Sequence, residues 1–247
     1  MKFNFLKSLS ISLVLIVGSY TNVAKAGLIN DIDVETISYQ VTSGIYGWNA
    51  SYDISFIDQD LIIDVDVFLT GFSADSSLLD IWEQGIESLW SSAFDLFDGN
   101  YFYDTVFNID WLDIASGADH IIEVHEGTGR FNSANFYTDD SLMVQPHPDV
   151  AAHEFGHLLG LYDEYNGGAL NPENLIDSTS IMGSGRIAKE RHFTQFTDWI
   201  SGNTNLGGIS LVDDQGDHHY SVSVPEPSTL AIFVLGMIGL ASRRLKQ

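Results

Sequence analysis

His153, Glu154 and His157 have the residue types and the spacing of a hydrolytic metal site. Two histidines four residues apart project from one face of an α-helix, so both imidazoles reach a single cation while Glu154 lies beside them. Two nitrogens and one carboxylate oxygen suit zinc, which keeps its fourth position for a water whose pKa falls to about 7. Glu154 is then the base that removes the proton of that water. A helix carrying two ligands must stop before a third can come from the opposite side. Gly160 suits that stop, because glycine readily takes the left-handed conformation that ends a helix and turns the chain. Asp163 follows three residues later to close the site; Glu164 is its neighbour, and spacing alone leaves both carboxylates as candidates.

The run from His153 to Asp163 resembles the signature of the metzincin clan of zinc peptidases, His-Glu-x-x-His-x-x-Gly-x-x-His or Asp followed by a methionine turn. Ser180-Ile181-Met182-Gly183 matches the turn, and the aspartate in third position is most similar to the snapalysin-like branch. The resemblance covers about residues 60 to 202 and is strongest from Asp149 to Gly185. It implies an α+β fold with a twisted mixed β-sheet, an active-site helix, the Met turn and a C-terminal helix. It also implies one catalytic Zn²⁺ held by His153, His157 and Asp163, with Glu154 as the catalytic base and Met182 packed beneath the metal. Some metzincins carry a tyrosine two residues after the turn methionine to assist the oxyanion; here that position is Ser184, so this task has no assigned residue. The function implied is a zinc endopeptidase that cleaves peptide or protein substrates through a Glu-activated, zinc-bound water. The alternative class is a non-catalytic envelope, matrix or adhesion protein with a structural zinc site. An amidase acting on cell-wall peptide would use the same centre.

Apolar residues alternate from Asp31 to Val41, and strands are predicted there, from Ala50 to Phe56 and from Leu61 to Leu69, bracketed by Gly44, Gly47, Asp58 and Gly71. The first two read as a hairpin over 28–57, an N-terminal β extension (27–57) to a catalytic domain at 58–202. Leu78, Leu79, Trp82, Ile86, Leu89 and Trp90 recur at three and four, which predicts a helix from about Ser77 to Ala93. Thr105 to Trp111, His120 to His125 and Ala134 to Thr138 read as strands. Ser133 to Tyr137 corresponds to the strand that metzincins place along the cleft edge, where an extended substrate would add through backbone hydrogen bonds. Pro146-His147-Pro148-Asp149 breaks the chain, with Asp149 as N-cap of the active-site helix. Lys189 to Ile200 predicts the last helix, burying Phe193, Phe196, Trp199 and Ile200. His192 is assigned to packing ahead of the metal, and His120, His125, His147, His218 and His219 are not assigned as ligands.

Both ends read as addresses. Residues 1–26 carry Lys2 and Lys7, an apolar run from Leu9 to Val17 and Ala24-Lys25-Ala26, the pattern of a secretory signal peptide. At the other end, Val224-Pro225-Glu226-Pro227-Ser228, an apolar stretch at 229–241 and Arg243-Arg244 resemble the PEP-CTERM sorting signal (225–247) of Gram-negative bacteria. That resemblance implies an exosortase-type partner, transient membrane anchoring through 229–241 and export to the cell envelope or beyond. Between these ends four basic residues face 33 acidic ones, a net charge of −29 that excludes nucleic acid as a partner. Asp213-Asp214-Gln215-Gly216-Asp217, in an acidic stalk at 203–224 with a strand predicted near Gly208 to Val212, offers oxygen ligands for Ca²⁺. A solvated turn is the simpler reading, since the spacing departs from the EF-hand loop. There is no cysteine, so a hydrophobic core must hold the domain without disulfides.

Overall fold

A computed structural model describes residues 30–91, 93–99, 101–139, 148–204 and 208–213. These belong to a unit spanning 29–216; the other unit, 1–28 and 217–247, lies outside the described residues. So do the expected signal peptide, the acidic turn beyond Asp213 considered for calcium, His147, His218, His219 and the anchor expected at 229–241. Among the described residues no helix is long and apolar enough to cross a membrane.

The alternating N-terminal segments form β1 (Ile32–Ser43) and β2 (Tyr46–Ile57), joined at Gly44 with φ +59°. A two-residue turn at Asp58 and Gln59, both at positive φ, leads into β3 (Asp60–Gly71), which pairs antiparallel with β2 over Asp60 to Asp64. The hairpin is therefore continuous with the main sheet. Further along, β3 pairs in parallel with β6 (Thr105–Leu112) and with β7 (His120–Thr128), and β7 pairs in parallel with β8 (Asn135–Asp139). Val67 and Phe68 are in register with both β6 and β7, which puts those two strands on opposite edges of β3. The result is a six-stranded mixed sheet whose strand order ends at β8, the edge expected to border the cleft.

The residues of β3 explain which face is covered. Ile63, Val65 and Val67 are fully buried, while Asp64 and Asp66 alternate with them on the opposite face. Over the apolar face lie α1 (Ser76–Trp90) and α2 (Pro148–Leu158), with Trp82, Trp90, Phe107, Phe155, Phe193 and Phe196 in one core. Asp75 caps α1 by accepting the Leu78 N–H at 2.9 Å, and Trp82, Ile86 and Trp90 form the buried stripe that the periodicity predicts.

Three features differ from expectation. A small antiparallel sheet of β4 (Phe94–Phe97), β5 (Phe102–Tyr103) and β9 (Ser210–Asp213) was not foreseen beyond β9, and it ties the start of the expected stalk to the core through β4. The last helix is divided into a 3₁₀ turn (Glu190–His192), capped at its start by the Lys189 N–H donating to His192 Nδ1 at 3.1 Å, and α3 (Thr194–Asn203). Asp149 lies inside the first turn of α2 rather than at its cap, and its carboxylate pairs with Arg186 at 2.7 Å.

Candidate metal centre

Helix α2 brings His153, Glu154 and His157 to one face, with a ligand atom of each within 4.8 Å of the others. Each imidazole is fixed from behind. The Nδ1–H of His153 donates to the Ile181 carbonyl at 2.7 Å, and the Nδ1–H of His157 donates to the Leu161 carbonyl at 2.8 Å. Carbonyls only accept, so both Nδ1 atoms carry the proton and both Nε2 lone pairs point into the site, the orientation that metal-binding imidazoles require.

The helix ends as Gly160 demands. The Leu161 N–H reaches the Gly156 carbonyl and the Gly160 N–H reaches the His157 carbonyl, each at 2.9 Å, with Gly160 at φ +92°: a Schellman termination. The hairpin holds this end of the helix. Trp48 Nε1 donates to the His157 carbonyl at 2.8 Å, and the Tyr39 hydroxyl and Gln195 both donate to the Leu159 carbonyl. Beneath the helix, Met182 is fully buried against Gly156, where a Cβ would collide with its Sδ. This is the packing expected of the methionine turn.

The turn after Gly160 carries Asp163 back to the histidines. Its Oδ1 stands 3.2 Å from His153 Nε2 and 3.3 Å from His157 Nε2, while its Oδ2 accepts the Ala169 N–H at 2.5 Å. A tetrahedral zinc with ligands at about 2.0–2.1 Å has ligand-to-ligand edges of about 3.3 Å. The three atoms are of the right type, and the two carboxylate-to-imidazole separations match such edges.

Glu164 goes elsewhere. It is buried and accepts from Arg191 Nε at 2.7 Å and Nη2 at 2.5 Å, and from His192 Nε2 at 3.2 Å. His192 thus faces Glu164 and Trp90, its ring 5.8 Å from the indole, and takes no part in the centre. His120 and His125 are likewise held away, by the Ser51 carbonyl and by Asn135.

Electrostatics follow from this placement. Burial opposes ionisation of Asp163, but its contacts with His153, His157 and the Ala169 N–H prevail and pull its pKa far below the usual carboxylate range. Burial likewise opposes protonation of His153, yet Asp163, Glu154 and the Ile181 carbonyl outweigh it and raise its pKa. A site that draws positive charge between imidazole and carboxylate draws a divalent cation for the same reason. Glu154, 6% exposed, has its pKa raised by burial, with the histidines only partly offsetting the shift.

The centre opens into a cleft of about 640 Å³, lined on one side by residues 130–134, between β7 and β8, and at one end by Tyr46 to Asn49 of the hairpin. Two cleft residues escaped the sequence reading. Tyr165, two residues beyond Asp163, sets its ring 6.0 Å from that of His153, and Arg130 lines the same cleft. The short spacing from Asp163 was the available signal for Tyr165; Arg130 had none, because it arrives from a distant loop. Ser184, at the position where some metzincins carry tyrosine, is exposed and donates to the Ser178 carbonyl at 3.4 Å.

No curated protein matches the chain. Among solved structures, myroilysin is similar over 49% of this chain and 76% of that one, at 14% identity and a TM-score of 0.30. Residues 223–245 match the PEP-CTERM protein-sorting motif, so this is a chain that carries an export-sorting signal.

Proposed function

We propose that the chain is an exported zinc endopeptidase of metzincin type, in which His153, His157 and Asp163 hold the metal and Glu154 is the catalytic base. The observation that carries this reading is the convergence of one carboxylate oxygen on two lone-pair-bearing Nε2 atoms, at separations matching the edges of a tetrahedral zinc, beside a buried glutamate. Zinc, when bound, supplies Lewis acidity that polarises the scissile carbonyl and acidifies water. Glu154 takes the proton of the attacking water and returns it to the leaving amine; burial raises its pKa, which favours the proton-accepting half of that cycle. Burial and the nearby Asp163 and Glu154 charges raise the pKa of Tyr165, so its phenol keeps its proton. It therefore fills the task left open at Ser184, donating a hydrogen bond to the developing oxyanion. The edge strand β8 and residues 130–134 are where an extended peptide adds alongside the sheet. The sorting motif directs the product to the envelope or exterior of a Gram-negative cell after recognition by an exosortase-type enzyme.

The test is chelator-sensitive cleavage of casein by the purified full chain. Glu154→Gln is expected to retain zinc and lose cleavage, His157→Ala to lose both, and Tyr165→Phe to retain zinc while kcat falls about 10²-fold. A zinc-replete protein that cleaves neither casein nor peptidoglycan stem peptides would instead be the non-catalytic envelope protein.

A further inference from the structure

The cleft contains one charge that no carboxylate among the described residues answers. Of the four basic residues between the two targeting segments, three are paired: Arg186 with Asp149 at 2.7 Å, Lys189 with Asp177 at 4.0 Å, and Arg191 with Glu164 at 2.5 Å. Arg130 is the exception; among the described residues it has no carboxylate partner, although the domain carries 33 acidic residues. It lines the same cleft as Glu154, His157, Asp163 and Tyr165, which puts it in the cavity into which the candidate centre opens.

The acidic groups of the cleft are all engaged. Asp163 faces the two imidazoles, Glu154 lies beside them, and Asp119 accepts from Ser51 Oγ at 2.7 Å and from the Asp66 N–H at 3.0 Å. Burial disfavours the charged form of His120 and lowers its pKa. The guanidinium is left exposed at the mouth of the site with donors to spare. A planar fork of N–H donors is complemented best by a carboxylate, which it can bind through two parallel hydrogen bonds. The surrounding net charge of −29 disfavours polyacidic ligands, so the fitting ligand is a single carboxylate in an otherwise neutral segment.

We propose that Arg130 determines specificity, receiving a substrate carboxylate within two residues of the scissile bond. This rests on the peptidase reading above. The carboxylate comes from an Asp or Glu side chain or from a free C-terminus, and one experiment separates these sources.

The zinc-loaded full chain is given a library of peptides made from denatured proteins, and the cut positions are mapped by mass spectrometry. Expected is an enrichment of Asp and Glu next to cut bonds of about tenfold over Gln and Asn, weakened in Arg130→Lys and lost in Arg130→Gln. In Arg130→Glu it is replaced by enrichment of Lys and Arg. If the C-terminus is the source, cuts instead cluster within two residues of peptide ends and disappear when those ends are amidated. Cleavage with neither preference, or with the same preference in Arg130→Gln, overturns the proposal while leaving the peptidase reading intact. A second arm does not need turnover: the Glu154→Gln protein should bind a Glu-containing peptide about tenfold tighter than its Gln counterpart, and adding Arg130→Gln should erase the difference. That binding preference without cleavage by the parent would leave Arg130 as a carboxylate receptor and sink the peptidase; equal binding would sink the receptor.

Discussion

Asp163 and Glu164 are adjacent carboxylates with opposite surroundings, and the difference lies in what reaches them from afar. Asp163 meets two imidazoles and one backbone N–H; Glu164 meets Arg191 and His192. Burial opposes ionisation of Glu164, but Arg191, His192 and Ser180 pull its pKa down to about 2, so it is a carboxylate at every working pH. Arg191 also bridges to Asp177 at 2.8 Å, and the Asp177 N–H donates to the Glu164 carbonyl at 3.0 Å, which pins the loop leading into the methionine turn. Removing Arg191 would strand a buried charge. Arg191→Ala is expected to lower unfolding stability by about 2–3 kcal/mol, below the full figure for a buried pair because the guanidinium is partly exposed. Glu164→Gln in the same chain should recover part of that loss, since no charge is then left unpaired. Urea unfolding of the parent, single and double variants measures it, and two losses that simply add would refute the coupling. None of this was legible in the sequence. The His153–Glu154–His157 pattern is local and periodic, so helical geometry exposes it; the choice between two neighbouring carboxylates depends on a partner 27 residues away.

At the scale of elements, the centre depends on a helix that stops on time and on strands that hold its end. α2 was legible because its candidate ligands, its periodicity and its terminating glycine all lie within one short run, and α1 because its apolar stripe recurs at three and four. The strands of the main sheet alternate clearly and were legible too. β4 and β5 were not, being only 4 and 2 residues long and apolar without alternation. The division into a 3₁₀ turn and α3 was hidden for another reason: the apolar periodicity of Phe193, Phe196 and Ile200 runs on across it. Gly160 offers a sharp test of how the helix end positions the site. Its φ of +92° disfavours any side chain, and a Cβ there would also run into the Tyr39 hydroxyl and stand 3.0 Å from Ala50 Cβ. Gly160→Ala is therefore expected to cost about 2–4 kcal/mol and to weaken zinc binding about 10–100-fold, as Asp163 and the carbonyl that orients His157 both follow this turn. Gly44→Ala is the control: also at positive φ, but with nothing within 4 Å, it should cost only about 1 kcal/mol and leave zinc affinity unchanged. Competitive zinc titration and chemical unfolding of both variants report the two effects, and equal losses in the two would mean that the contact with Tyr39 and Ala50 has no role.

Across the whole molecule the dominant fact is negative charge, and the sheet concentrates it. On the face of β3 opposite the core, Asp64 lies in register with Asp53 of β2, and Asp66 with Asp110 of β6. Ligand atoms of Asp64, Asp66 and Asp110 lie within 4.8 Å of one another, and Asp64 Oδ1 is buried with no hydrogen-bond partner among the described residues. Like charges directly across a sheet repel. Burial first, and then the charges of Asp110, Asp66, Asp53 and Asp119, raise the pKa of Asp64 from 3.8 to about 6. The folded state thus holds a proton there that the unfolded chain has released, so between about pH 4 and 6 Asp64 makes stability fall as pH rises, and above about pH 6 the full penalty remains. Asp64→Asn removes the charge while keeping the shape. At pH 7.5 it is expected to raise Tm by about 2–4 °C, the size of roughly 1 kcal/mol in a domain of this length after allowance for the side chain's partial exposure. Toward pH 4.5 the gain should shrink to near zero, because Asp64 in the parent is then already protonated. Thermal scans of both proteins at the two pH values, with chelator present so that metal binding does not contribute, decide the matter: a gain that is the same at pH 4.5 and 7.5 would show that the side chain's shape, and not its charge, sets the cost.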